Sequence, residues 1–585
     1  MRAVLTLVVA LAACSNDARV EELDRQLALL EADVADTRAR IDKMAAGVAR
    51  AKRHVRPGQR DQSPDDFNPR TPLPPGSADH PDVVLVSIDT LRADHLGAYG
   101  YDRDTSPFMD ELASTGTVFM DHWSPAPWTL PSHTTMLSGF LPNNHGAIED
   151  HTRIRAQVPM VQEALAASDY LTVGVVATMF VSSKYGFERG FGDVDVDFFD
   201  FGVNDKKTNN QSTVDAEHVF DTAYHWAQQQ DDGRPIFAFL HVYDVHYHYD
   251  PPPPWNEKFD RAPRMGDAIY KSYTDYKKRM VSDEQLAHQV AQYDEEIAYV
   301  DHQLGQFVER WRASGRDLIV LVTADHGEEF GERGSWGHAH TLFDEQLHVP
   351  LIVNGPGIQR QVVRDRTGGE DLAGTIAGLA GVQFPAGDGV DRSRTLRTGQ
   401  PVRESAVPGR YADTSRFDTL QYRWHDPPYD LIVDMGRAAR RLCDLSSDPG
   451  CQENLYRKRK TRGEAMFQEL SDHLGQPWIA EQDGTVDLPK GTYAYRGIQR
   501  NKQRIEVTAG DRFAVHPLDG KLRIEGIEDA YRALGQDCRL PEEGDPLAYD
   551  GPFSCSEGGV EITYDDCIAL RELGYVQGDC EALPH

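Results

Sequence analysis

Positive charge is what this sequence lacks most. Lysine and arginine total 61 against 93 aspartates and glutamates, a formal net charge of −32 over 585 residues. Such a chain offers no basic face for nucleic acid or anionic lipid. Any anion-binding site must then draw its positive charge from metal ions and a few placed histidines. Cysteine is scarce as well. There are seven, with none between Cys14 and Cys443 and no pair at Cys-x-x-Cys spacing, which argues against a cysteine-ligated zinc site. The apolar run that opens the chain, Ala3 to Ala13, is too short as a helix to cross a hydrocarbon core of roughly 30 Å.

What that run does fit is a signal-peptide core after Arg2. It ends in Leu11-Ala12-Ala13-Cys14-Ser15, which resembles the bacterial lipobox. The resemblance implies cleavage after residue 13 and lipidation of Cys14, hence a chain held in the bacterial cell envelope, periplasmic or at the outer-membrane surface. A soluble secreted protein is the other reading. Export fits the six remaining cysteines, all in the last quarter: Cys443, Cys451, Cys538, Cys555, Cys567 and Cys580. They allow about fifteen pairings, of which the sequential one is the simplest.

Val20, Leu23, Leu27, Leu30, Val34, Thr37, Ile41, Met44 and Val48 follow 3-4 spacing, the seam of a coiled coil. A homodimer through residues 20–48 is one reading, and a single amphipathic helix the other. Prolines then break the pattern. The organisation read from the chain is signal peptide 1–13, anchor and coiled-coil stalk 14–52, proline-rich linker 53–80, catalytic domain 81–400 and a disulfide-bearing C-terminal portion 401–585.

From Asp82 the chain changes character. Val83 to Ile88 and Leu318 to Thr323 are apolar runs closing near a carboxylate, and Pro235 to His241 closes on a histidine. Runs of this kind suit strands of a parallel sheet buried on both faces. With helical stretches such as 283–314 between them, the expected fold is α/β, a doubly wound sheet with helices on both faces and a smaller C-terminal α+β portion. Polar sites in such sheets lie beyond the carboxyl ends of strands, where Asp89, His241 and Asp325 would meet.

Six motifs in order carry a family resemblance. They are Asp89-Thr90-Leu91-Arg92, Thr129-Leu130-Pro131-Ser132-His133, His241 to Pro252, Thr323-Ala324-Asp325-His326-Gly327-Glu328, His348-Val349-Pro350-Leu351, and Cys443 to Pro449 with Asn454-Leu455. Together they resemble the sulfatase branch of the alkaline phosphatase superfamily. The resemblance implies an alkaline-phosphatase-like fold and a divalent cation held by Asp89, Thr90, Thr129, Asp325 and His326. It also implies catalytic roles for Thr129, His133, His241 and His246, and substrate contacts from Arg92 and from His338 or His340. Calcium, magnesium, manganese and zinc all remain open, and His338 and His340 leave room for a second ion.

The departures are informative. Sulfatases of the family convert a cysteine or serine into formylglycine, and Thr129 stands at that position. Its Cβ carries a methyl group, so no aldehyde can form. A threonine ester must be released by attack of water or another acceptor. His133 holds the place of the signature arginine. The expectation is a metal-dependent hydrolase cleaving phosphate or sulfate esters through a covalent threonine intermediate, with phosphoester chemistry favoured. A phosphoryl-headgroup transferase, a sulfuric ester hydrolase and an inactive surface binding protein are the competing readings.

Overall fold

The computed structural model describes most of residues 71–474, together with short strands as far as Glu525. Cys14, the heptad segment and Cys538, Cys555, Cys567 and Cys580 lie outside the described residues. Among the described residues, no helix is long and apolar enough to cross a membrane.

The elements run β1 (Asp82–Ile88), α1 (Pro107–Thr115), β2 (Thr117–Phe119), α2 (Thr129–Ser138), β3 (Leu171–Val176), β4 (Phe198–Asp200) and α3 (Ala216–Gln228). There follow β5 (Ile236–Val242), α4 (Asp283–Ala313), β6 (Leu318–Thr323), β7 (Leu351–Asn354), β8 (Gln361–Val363) and α5 (Glu370–Ala380). Eight strands form one sheet in the order β8-β2-β7-β6-β1-β5-β3-β4. The expected doubly wound α/β sheet is present, with one difference. The central strands β6, β1, β5 and β3 are parallel, but β7 runs antiparallel to both β6 and β2. A short buried run such as Leu351–Asn354 has the same composition in either direction, so direction was not legible there.

Burial on both faces explains the unbroken apolar strands. Along β1, Val84, Val86 and Ile88 join the core under α3 and α4, with Tyr224, Phe307 and Trp311. Val83 and Leu85 point the other way into a core with Met136, Leu137, Leu372 and Ile376 of α2 and α5. Each such side chain contributes roughly 1.5–3 kcal/mol on burial. Helix α4 starts where its capping box dictates: Gln285 N–H donates to Ser282 Oγ (3.2 Å), and Ser282 N–H donates to Gln285 Oε1 (3.0 Å).

One end of the sheet is fixed by charge. The Arg316 guanidinium donates to both Asp82 oxygens (2.6 and 2.8 Å), and Trp311 Nε1–H and Ile236 N–H also donate there. Arg316 also donates to the Pro74 carbonyl, and Leu73 is buried. The last residues of the expected linker therefore pack on the catalytic domain rather than extend from it, because Leu73 has apolar surface to bury.

A second sheet joins β9 (Arg410–Thr414), β10 (Gln421–Asp426), β11 (Tyr429–Asp434) and β12 (Ala439–Asp444), all antiparallel. It packs on α6 (Lys460–Leu474) through Tyr422, Trp424, Leu431, Met466 and Leu470. A disulfide joins Cys443 to Cys451, the first of the sequential pairs. Further strands lie at 504–507, 512–518 and 521–525.

Candidate metal and nucleophile site

Register brings the site together. Ser87 of β1 pairs with His241 on one side and with Thr323 on the other. The residues just beyond, Asp89 and Asp325, therefore meet beside His241 at the carboxyl ends of three adjacent parallel strands. Helix α2 aims its N-terminus at the same place, with Thr129 as its first residue and Gly139 closing it at φ 76°. Ser132 of that helix donates its hydroxyl to the Asp325 carbonyl (2.5 Å), which fixes the helix to the end of β6.

Asp89, Asp325, His326, Thr129, His133 and His241 are all buried. The ligand atoms of Asp89, Asp325 and His326 lie within 4.8 Å of one another. His326 Nε2 is 3.6 Å from Asp89 Oδ1 and 3.4 Å from Asp325 Oδ2. Neither Asp89 oxygen, nor Asp325 Oδ2, has a hydrogen-bond partner among the described residues. Asp325 Oδ1 accepts the backbone N–H groups of Thr90 (3.3 Å) and His326 (2.9 Å), so Oδ2 is turned inward. Burial pushes the Asp89 carboxyl up to about 7, against the pull of His326 and the Thr90 N–H. Burial also raises Asp325, and the neighbouring Asp89 adds to this. Two buried, under-bonded carboxylates beside an imidazole form a donor set that a divalent cation satisfies. The Thr129 hydroxyl lies 3.5 Å from His326 Nε2, at the edge of that set.

The other histidines sort themselves by hydrogen bonding. His133 stands between Ser87 Oγ (Nε2, 2.9 Å) and the Thr129 carbonyl (Nδ1, 2.9 Å), with Nδ1 3.6 Å from Asp325 Oδ2. His241 Nε2 is 3.3 Å from Asp89 Oδ2. His246 lies against Tyr243 (ring centroids 4.4 Å), and its Nδ1 is 2.6 Å from the Tyr247 carbonyl. Burial pulls His133 and His246 down to about 3 and His241 to about 4. Of the two histidines left open by the sequence, His338 lies nearer the site. Its ring lies 4.5 Å from that of His326 and 5.0 Å from that of His246, with Nδ1 3.2 Å from Glu328 Oε1. His340 instead turns to Ser335 and Glu329.

One further expected role is corrected. The Arg92 guanidinium is taken up by Asp94, Glu332 and the Glu328 carbonyl, so it holds the loop rather than a substrate. The Thr90 hydroxyl donates to the Val245 carbonyl (2.7 Å), which leaves its lone pairs for the expected ligand role. Sequence reasoning also missed Tyr293, whose hydroxyl donates to the Thr90 carbonyl (2.8 Å) and accepts from Arg92 N–H (2.9 Å). A tyrosine inside a long amphipathic helix carries no such signal. Glu328 was visible in its motif but without a role.

A sequence profile described as Sulfatase matches residues 81–382, just over half the chain. The chain belongs to the sulfatase family. Among curated proteins, this family member is 24% identical over 423 residues to the Delta 4,5-hexuronate-2-O-sulfatase of Bacteroides thetaiotaomicron, covering 65% of this chain and 85% of that one. It is 26% identical over 324 residues to a low-salt glycan biosynthesis sulfotransferase of Haloferax volcanii, covering 54% and 65%. Among solved structures, the phosphonate monoester hydrolase of Silicibacter pomeroyi superposes with a TM-score of 0.56 at 21% identity, over 67% of this chain and 95% of that one. The superposition supports the sulfatase-like fold seen here.

Proposed function

We propose that this sulfatase-family chain is a metal-dependent hydrolase that cleaves phosphate or sulfate esters through a covalent ester on Thr129. The observation that carries the proposal is the 3.5 Å approach of the Thr129 hydroxyl to His326 Nε2, beside the buried Asp89–Asp325–His326 triad. Asp89, Asp325 and His326 would hold the cation, with the Thr129 hydroxyl completing the set. The mixed carboxylate and imidazole donors favour manganese or zinc over calcium or magnesium. When bound, the cation supplies positive charge against the charge that develops during transfer.

The chain's own groups do the rest. Thr129 sits at the N-terminus of a helix, where backbone N–H groups favour an anion. Its hydroxyl loses a proton to water and forms a bond to phosphorus or sulfur. The bond to the leaving oxygen breaks, and that oxygen takes up a proton. Water then attacks the same phosphorus or sulfur, releases the acid and restores the hydroxyl. His246 and His338 would meet the ester oxygens. An anionic ester beside His246 raises its affinity for a proton, which suits it to protonate the leaving oxygen. Formylglycine chemistry is closed to a threonine, and this favours phosphoester substrates.

A transferase uses the same first half-reaction, and the Haloferax relative, named as a sulfotransferase, supports keeping that reading. The test is Thr129→Ala assayed on an activated phosphodiester and an activated aryl sulfate, with and without an added alcohol. Loss of turnover with cation content retained supports the nucleophile; full activity removes it. Alcohol-derived product identifies the transferase. We further propose that Cys14 is lipidated and residues 20–48 pair two chains at the envelope. Fatty-acid labelling that survives Cys14→Ala would count against the anchor.

A further inference from the structure

We infer that a second divalent cation binds beside the first, gripped by His133, His241 and Asp325. The inference rests on the ester chemistry proposed above, and it moves the second ion away from the His338 and His340 positions that the sequence suggested.

Geometry supplies the first argument. His133, His241 and Asp325 each offer a ligand atom, and these atoms lie within 4.8 Å of one another. All three residues are fully buried. The two imidazole rings are 5.0 Å apart, and His133 Nδ1 is 3.6 Å from Asp325 Oδ2. His241 has no hydrogen-bond partner for either ring nitrogen among the described residues, a costly condition for a buried imidazole unless a cation takes up its lone pair. Asp325 is common to both triads. Its inward Oδ2 faces the nitrogens of His326 and of His133, so it is placed to bridge. A donor set of two imidazoles and one carboxylate suits zinc or a similar borderline metal.

The hydrogen bond behind His133 fits the role. A ligating histidine ordinarily gives its other ring N–H to a protein acceptor. Ser87 Oγ, 2.9 Å from Nε2, would be that acceptor. Ligation through Nδ1 moves the ring proton from Nδ1, now beside the Thr129 carbonyl, to Nε2. The Ser87 hydroxyl can accept as readily as donate, so the exchange costs no net proton.

Charge supplies the second argument. Among the described residues, the ion-pair partners of Asp89 and Asp325 are all histidines: His133, His241 and His326. One divalent cation against two carboxylates leaves no net charge to attract an anionic ester. A second cation leaves two positive charges, in a chain whose overall field repels anions.

The test is zinc stoichiometry on the full-length chain, stripped with chelator, reloaded with zinc and measured by elemental analysis. Wild type is expected to hold two equivalents and His133→Arg one, because the guanidinium replaces the charge but cannot ligate. His133→Leu, which keeps the buried volume, is expected to hold one as well and covers the case in which the arginine does not fold. One equivalent in wild type overturns the second site and leaves the catalytic proposal standing. None overturns both. Two equivalents retained by either folded variant overturn the assignment of His133 as a ligand.

Discussion

The Thr90 hydroxyl donates to the Val245 carbonyl at 2.7 Å, and both residues have left-handed backbone: φ is 57° at Thr90 and 84° at Val245. A β-branched residue at positive φ is strained, at a cost of about 1–3 kcal/mol, and persists only where its surroundings hold it. Here each residue holds the other, and Tyr293 grips the Thr90 carbonyl from α4. The pair joins the turn that carries Asp89 to the loop that carries His246. Thr90→Val removes the bond but keeps the shape. Its expected effect is about 1–3 kcal/mol lower stability and about tenfold weaker zinc binding, with both restored by Thr90→Ser. Zinc titration followed by thermal melting measures both.

Glu328 holds His338 through Nδ1 at 3.2 Å and accepts the Tyr249 hydroxyl at 3.4 Å. Glu328→Gln keeps the shape but replaces one of the two carboxyl oxygens that hold His338 and Tyr249. The turnover of an activated ester, as kcat/KM, is expected to fall about 10–100-fold, in the range seen for groups that orient active-site histidines. Zinc bound through Asp89, Asp325 and His326 should be unaffected, so a loss of that metal would assign Glu328 a different role.

Asp82 and Arg316 form a buried pair at the end of β1 remote from the site. Asp89 follows Asp82 by seven residue steps along the strand, about 23 Å at the usual rise. Asp82→Ala strands the guanidinium and is expected to cost about 3–5 kcal/mol. Denaturant melts should register that loss, while kcat measured on the folded fraction stays at the wild-type value.

Acid should loosen the smaller sheet first. Burial pushes the Asp430 carboxyl up, but the guanidinium of Arg423 and the imidazole of His425 outweigh it and hold the group at about 2, below its ordinary 3.8. A depressed carboxyl contributes stability above its unfolded pKa and loses it as pH falls through the folded value. The contribution, ~2 kcal/mol, is therefore complete above about pH 4 and is lost towards pH 2. Arg423 also donates to the Leu342 carbonyl (3.0 Å) and pairs with Asp344 (2.8 Å), which follow His338 in the chain. Asp430→Asn should flatten the pH dependence of unfolding in that window; an unchanged slope would assign the acid sensitivity elsewhere.

Much of the site could be read from the sequence because its parts are local. Asp89, His241 and Asp325 each close an apolar run, and parallel strands in register bring such closures together. Thr129 was visible because Thr129-Leu130-Pro131-Ser132-His133 resembles the family's nucleophile motif, whereas its place at the start of a helix was not. What could not be read depends on direction rather than order. Whether His338 or His340 faces the metal set is decided by Glu328 and Glu329, adjacent residues whose side chains engage different histidines. Arg92 looked like a substrate residue because a buried arginine beside a metal motif is ambiguous until its partners are seen, and Asp94, two residues on, is one of them.

The most direct test of the account is to capture the threonine ester. The chain is mixed with an excess of activated phosphodiester, quenched in acid within the first turnover, and digested for mass spectrometry. The account predicts, on the peptide bearing Thr129, the added mass of a phosphoryl group still carrying the ester group that does not leave, absent in Thr129→Ala and decaying as product forms. Turnover with the same mass on another residue, or with no adduct at any quench time and unaltered rate in Thr129→Ala, would contradict it.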